Sequence, residues 1–366
     1  MSEVVAKRLS LEVMTAELVD TTDMPRDEWL DHRRAYIGGS DLATIMGQSQ
    51  FSTKRDLFWA KKGIEPAVKE VAEELEYEEG WVQKKVGHLL EDLVAEIFTA
   101  KTGFRHMAVR KIFVHPVHKF MMANTDFLIP MIDGSYAILE CKTANPAVLC
   151  KWNNNGVPIN YELQCRHYLA ILRAYFAQYG IEVKTAFIAC LHGNTESDFL
   201  WRRIELDTDY EESIIEEEQY FWDTYVEANI EPPYTEKGDM VLESLKKHYG
   251  AADPSADRVA FTKDVAVALD EYLQLKDEKS ILDKQVKEMD SKVKRAQAIA
   301  IDALGVSCEG YYRSSDAEYI VTYNPVFKEK VDTEALLAQY PEIYDKFVSK
   351  PESFRKFNLK RKELTA

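Results

Sequence analysis

The chain has 366 residues, a formal net charge of −16, and a composition that is 46% hydrophobic and 30% charged. That balance excludes a wholly disordered or fibrous chain, and the length exceeds what a single core usually fills, so a main domain with an appendage is expected. No apolar run reaches the roughly 18 residues a membrane helix needs, and the first twenty residues lack an apolar signal core, which predicts a cytoplasmic protein with no membrane partner. The five cysteines, Cys141, Cys150, Cys165, Cys190 and Cys308, are odd in number and form no CxxC pair, so reduced thiols are expected rather than disulfides or a zinc ribbon.

In chain order, residues 27–62 read as helix, Gly-Gly turn, helix. Residues 65–79 are strongly acidic and read as a solvated helix or loop. Residues 82–101 form an amphipathic helix whose apolar stripe is Val86, Leu89, Leu90, Leu93, Val94 and Ile97, closed by Gly103. Strands follow over 111–114, 120–129 and 135–143, with Asp133-Gly134 as the turn signal. A second amphipathic helix covers 160–178, and strands cover 186–191 and 199–206. This order of helix, three strands, helix, two strands argues an α/β fold, a sheet with helices against it. The expected division is a core over 1–230, a linker over 231–256 marked by Pro232-Pro233 and Gly250, and a C-terminal region over 257–366. In that last region a long helix carries the heptad stripe Leu282, Val286, Met289, Val293, Ala296 and Ala300, either packed on its own domain or pairing between molecules. A small hairpin and a basic tail complete it. Charge is segregated: residues 207–240 hold twelve acids and one lysine, whereas residues 346–362 hold seven bases and one acid. An acidic total therefore does not exclude a local DNA track.

The stretch from Asp126 to Lys142 carries the chemistry. Glu140 and Lys142 are two apart on one strand and share a face, while Cys141 faces the other way. An acid and a lysine inside an apolar strand are costly unless something pairs with them, and a divalent cation on Glu140 with Lys142 beside a water is one solution. The face of Asp126 depends on the turn. A two-residue turn sends it away from Glu140; a three-residue loop, Ile132-Asp133-Gly134, has glycine where the left-handed residue belongs and sets Asp126 opposite Glu140. Two adjacent carboxylates favour a cation between them, and oxygen ligands suit magnesium or manganese. Glu91 sits at the edge of the first amphipathic helix, one turn after Gly87; taken alone it is a solvent-edge glutamate. Tyr161, Gln164 and Tyr168 form one stripe of the second helix, equally readable as phosphate or water ligands or as a boundary stripe. Arg33 precedes Gly38-Gly39-Ser40-Asp41 at a helix start, an arrangement suited to an anion.

The ordered set WLxxR…IGGSD, GxxxE, D…ECK and YxxQxxxY resembles the YqaJ-like viral recombinase family, relatives of the lambda-type exonucleases, over roughly residues 27–206. The resemblance implies a restriction-endonuclease-like PD-(D/E)xK core, a central mixed sheet flanked by helices, with a helical C-terminal appendage. It implies a magnesium-dependent deoxyribonuclease that degrades double-stranded DNA from the 5′ end and leaves 3′ tails for phage-type recombination. By the same resemblance Glu91, Asp126, Glu140 and the Cys141 carbonyl hold two Mg2+ ions, with Mn2+ able to substitute. Lys142 activates the water, Gln164 supports the site, Tyr161 and Tyr168 stand nearby, and Arg33, Gly39 and Ser40 hold the 5′-phosphate. The motif's leading proline is absent, since residues 123–126 read Ala-Asn-Thr-Asp. Expected partners are DNA ends, copies of the same chain (ring-shaped trimers in lambda-type relatives) and a single-strand annealing protein. Alternatives are a helicase- or CRISPR-adaptation-associated nuclease on the same core, against which the scattered cysteines argue, and a non-catalytic DNA-binding assembly protein.

Overall fold

A computed structural model describes residues 10–67, 81–145, 152, 156–314, 317–325 and 333–347. Most of the acidic segment over 65–79 and nearly all of the basic tail fall outside them. The elements in order are α1 (Leu11–Met14), β1 (Val19–Asp20), α2 (Arg26–Arg34), α3 (Gly39–Ile45), α4 (Lys54–Lys61), α5 (Trp81–Thr102), β2 (Met107–Ala108), β3 (Lys111–Val114), β4 (Met122–Ala123), β5 (Phe127–Pro130), β6 (Tyr136–Thr143), α6 (Ile159–Ala177), β7 (Val183–Leu191), β8 (Phe199–Glu205), α7 (Thr208–Phe221), α8 (Gly238–Tyr249), α9 (Lys263–Leu304), β9 (Glu309–Arg313), β10 (Glu318–Thr322), α10 (Thr333–Gln339) and α11 (Pro341–Phe347). Two compact units divide at Ala251.

The first unit is built on a five-stranded sheet in the order β2-β5-β6-β7-β8. β5 and β6 are antiparallel, β6 and β7 parallel, and β7 and β8 antiparallel. A parallel step needs a crossover, and α6 supplies it. Strand alternation then sorts the side chains. Ile138, Ile188 and Cys190 pack toward Leu169, Leu172 and Phe176 of α6. Leu139, Cys141, Phe187 and Ala189 pack toward Val94, Ala95 and Phe98 of α5. This is a central mixed sheet flanked by helices, the α/β class expected from the sequence.

Three expectations are corrected. The buried face of α5 is Val94, Ala95 and Phe98, whereas Val86, Leu89 and Leu93 of the expected stripe are 41%, 65% and 43% exposed. A side chain at Gly87 would already meet Thr143, the last residue of β6, so the helix's first turns run past the end of that strand. The expected strand 120–129 is two strands. β4 pairs with β3 in a separate sheet and β5 pairs with β6, so the chain changes sheets at Asn124-Thr125-Asp126. The expected linker is not one as far as Ala251. Arg55 Nε donates to Pro232 O at 2.9 Å, Ser244 Oγ donates to Asp56 Oδ1 at 2.6 Å, and His248 stacks on Trp59 at 3.6 Å. The prolines that suggested a hinge are thus anchored to α4. Within the acidic segment over 207–240, α7 buries Glu211 and Glu218 completely.

In the second unit α9 is one helix of 42 residues, ended by Gly305 at φ 57, with β9 and β10 pairing as a hairpin. None of its described residues is buried. The alternative in which the heptad stripe packs on its own domain is therefore not what forms.

Candidate active site

The turn between β5 and β6 sets the geometry. Phe127 pairs with Leu139 and Pro130 with Tyr136, and Met131 N–H donates to Ser135 O at 2.8 Å, which leaves Ile132-Asp133-Gly134 as the loop. Gly134 has φ 83, the left-handed conformation that glycine adopts without steric cost. In this register Asp126 falls opposite Glu140, on the α6 side of the sheet. The Asp126 carboxylate accepts the Cys141 N–H at 2.8 Å just beyond the last paired residue of β5.

Glu140 is 2% exposed. Its Oε1 accepts from Lys142 Nζ at 2.6 Å and from Gln164 Nε2 at 2.7 Å. Its Oε2 is buried without a hydrogen-bond partner. Gln164 also donates to Tyr168 Oη at 3.0 Å, and the Lys142 ammonium lies 5.3 Å over the Tyr161 ring. Burial, with Asp126 next to it, pushes the Glu140 carboxyl up to about 7. Burial likewise lifts Asp126 to about 6; Lys142 opposes the rise and Glu91 adds to it. Burial alone would depress Lys142, but Glu140 and Asp126 outweigh it and hold the side chain as an ammonium.

Glu91 reaches the same cleft from α5 and its carboxyl is raised by burial, opposed by His88 at 3.4 Å. The three acids face one cleft of about 730 Å³. Among the described residues no three His, Cys, Asp or Glu side chains stand close enough to grip one ion as they are. Each acid is turned to a partner of its own: Glu91 to His88, Asp126 to a backbone N–H, Glu140 to Lys142 and Gln164. The residues fit a divalent cation on chemical grounds. They offer hard oxygen donors, one of them a buried orphan, and mutual repulsion that a cation relieves. The Cys141 side chain is on the opposite face, in the core under α5.

Arg33, Gly39 and Ser40 line this cleft too. Arg33 Nη2 donates to Ser40 Oγ and, at 2.9 Å, to Asp41 Oδ1, and its guanidinium lies over the Trp29 ring. Asp41 Oδ2 accepts from the Gly38 N–H at 3.0 Å and from the buried Lys61 ammonium at 2.6 Å. Lys61 and Arg33 hold Asp41 near 2 despite its burial. Gly39 has no room for a side chain, because a Cβ there would stand 2.7 Å from the Tyr168 ring and 2.9 Å from Gln164 Cγ. α3 and α6 therefore touch through the residues that hold Glu140.

Sequence reasoning missed two parts of the cleft. Lys61, twenty residues beyond Asp41, carries no pattern that announces the pairing. Arg110 lines the cleft with an exposed side chain that no described residue engages, at φ 42, where the chain passes from β2 in one sheet to β3 in the other. A non-glycine residue in the left-handed region is the only signal, and it is invisible in the sequence.

Residues 28–185 match the YqaJ-like viral recombinase domain. The protein YqaJ of Bacillus subtilis (strain 168), described as uncharacterized, is 32% identical over 351 residues, covering 94% of this chain and 97% of the relative. Solved structures are similar at greater distance. LHK-Exo in complex with dAMP is 18% identical with a TM-score of 0.42, over 60% of this chain and 96% of that one. A phage related exonuclease from Haemophilus somnus 129PT is 14% identical with a TM-score of 0.33, over 53% and 96%. Likenesses that distant leave the assignment to the domain match and the B. subtilis relative, which together span nearly the whole sequence: the chain belongs to the YqaJ-like viral recombinase family.

Proposed function

We propose that the protein is a divalent-metal-dependent deoxyribonuclease that digests the 5′-terminated strand of duplex ends and leaves 3′ tails for recombination. The observation that carries this reading is Asp126 beside a buried Glu140 with an orphaned oxygen, and Lys142 on the same face. Asp126, Glu140, Glu91 and the Cys141 carbonyl would hold two Mg2+ ions, or Mn2+ in their place. The metals would supply Lewis acidity toward the scissile phosphate and a water of lowered pKa. Lys142 is an ammonium, so it orients a water and stabilises developing negative charge rather than removing a proton. Gln164 fixes the Glu140 carboxylate, and Tyr168 and Tyr161 brace Gln164 and Lys142.

Arg33, Gly39 and Ser40 form the pocket for the terminal 5′-phosphate, with Asp41 and Lys61 holding the guanidinium in place beforehand. A dianionic terminal phosphate gains more from such a fork than an internal diester does. Arg110, which no described residue engages, is a cleft cation available to the strand's next phosphates. The substrate partner is thus a DNA end, and a strand-annealing protein is the consumer of the tail.

The test is digestion of linear duplexes, after chelator treatment and Mg2+ addition, with a 5′-phosphate or 5′-hydroxyl on one strand. Wild-type protein should prefer the phosphorylated strand. Lys142→Ala should slow turnover roughly a hundred- to a thousand-fold, the cost of removing one preorganised donor of this kind. Near-normal turnover in that variant would sink the assignment.

A further inference from the structure

Along α9 the apolar stripe extends beyond the six residues that the heptad count identified. It runs through Val265, Ala268, Tyr272 and Leu275 at the start of the helix and continues to Ala303 at its end, with Lys279 as the one polar member. The helix spans about 63 Å at 1.5 Å per residue. Leu282, Val286, Met289 and Val293 are each 58% exposed. A lone helix and a two-stranded hairpin are marginal in water, so a unit in which no described residue is buried needs cover from elsewhere.

We propose that the cover is α9 of a second copy, lying antiparallel and centred on Lys284. Three features of the stripe choose the occupant and its direction. First, side-chain size tapers along the helix: Tyr272, Leu275 and Leu282 are large, and Ala296, Ala300 and Ala303 are small. The antiparallel register sets Tyr272 against the partner's Ala296 and Leu275 against the partner's Val293, so large residues face small or middling ones and the all-alanine layers reduce to Ala268 against the partner's Ala300. A parallel pair would stack three all-alanine layers at one end and two tyrosines near the other, which close packing disfavours. Second, Lys279 meets the partner's Met289 and lays its methylene stem on an apolar neighbour, whereas in a parallel pair it would face its own copy. Third, the flanking charges match. Glu278 meets the partner's Lys292 and Lys276 meets the partner's Asp290, each twice by symmetry, against one Asp283 pair at the centre. A parallel pair would twice set Glu278 against Asp283, which cancels its two Glu271–Lys276 contacts. Charges flanking the seam are what select partner and orientation in coiled coils. The same patch on both copies, related by a two-fold axis, makes a closed pair.

The experiment uses the full chain carrying Cys308→Ser, since Cys308 is exposed. Ala268→Cys and Ala300→Cys are added singly and together, and the proteins are oxidised and run on non-reducing gels beside the Cys308→Ser parent. The two positions lie far apart on one helix but share a layer in the antiparallel pair. The double variant should form a disulfide-linked dimer above the parent's background, and neither single variant should. Linkage of either single variant to itself as efficiently as the double, or no linkage in the double, overturns the proposal. As a second measurement, Leu282→Asp with Val286→Asp should halve the mass found by light scattering; an unchanged mass overturns it equally. Both readouts are independent of nuclease activity.

Discussion

Leu169 on α6 and Met289 on α9 are both apolar residues, unbranched at Cβ, in the middle of long helices. Leu169 is wholly buried between α6 and the sheet, and Met289 is 58% exposed. The sequences around them differ both in how apolar they are and in how the apolar residues are spread around the helix. α6 carries apolar residues on most of its circumference because it packs on the sheet on one side and on α3 and α7 on others. Around Met289, from Lys276 to Gln297, α9 holds them to a 3,4 stripe with Ile281 beside it, a seam wide enough for one more helix. The comparison teaches that the width of a helix's apolar face decides whether its cover comes from a layered core or from a single partner.

The hardest way to break the contrast is to attack the charge that only the first unit buries. Imidazole Nδ1 of His167 faces Glu218 Oε1 at 2.7 Å and Nε2 faces Met122 O at 2.8 Å. A carbonyl only accepts, so Nε2 is a donor; burial disfavours the imidazolium, but Glu218 and Met122 raise its pKa above 6.5 on balance, while burial raises the Glu218 carboxyl. Glu218→Ala should cost about 3–5 kcal/mol in chemical denaturation, the scale of breaking a buried pair by removing one partner. Substituting exposed α9 charges such as Lys287 should cost under about 0.5 kcal/mol. Next in size, Leu169→Ala should destabilise the first unit by about 2–5 kcal/mol through lost burial and a cavity, while Met289→Ala should leave that unit's unfolding unchanged.

A pH scan sharpens the contrast with a smaller effect. The folded-state value of Glu140, about 7, lies above its ordinary 4.5. Its contribution to stability is therefore present below pH 4.5 and is lost as pH rises through 7, and the raised His167 acts in the same direction above 6.5. Metal-free protein should melt several degrees lower at pH 8 than at pH 6, and Glu140→Gln should flatten the slope. The smallest expected effect is at the cleft's edge. Arg33→Ala should erase the preference for 5′-phosphate over 5′-hydroxyl ends, and Arg110→Ala should weaken binding of both ends about equally, each by roughly tenfold, the scale of one charge-assisted bond. An unchanged end-type ratio in Arg33→Ala would reduce Arg33 to a brace for α3.

What could be read from the chain alone follows the range of the physics. The facing of Asp126 and Glu140 was legible because a single residue, Gly134, fixes the loop length and strand alternation does the rest. α6 and the two strands that follow it were legible from their periods. The buried face of α5 was not legible, since its stripe continues past the point where the sheet stops. The break at Asn124-Thr125-Asp126 was hidden because both halves look like strand and only the choice of sheet changes. The anchoring of 231–251 was misread because prolines mark a turn but do not say whether the turn is held. Lys61 and Arg110 reach the cleft through long-range folding that leaves no local trace.

The missing side chain at Gly39 has one more consequence. Its neighbours Tyr168 and Gln164 leave no gap, and Gln164 in turn is bonded to Glu140. The span from the start of α3 to the Glu140 carboxylate is therefore a length made of atomic radii rather than of chain. A tether stretches with temperature and changes with composition; a stack of touching atoms does neither. Whatever is gripped at one end of that stack meets the acids at a spacing that solvent, salt and loop sequence leave alone.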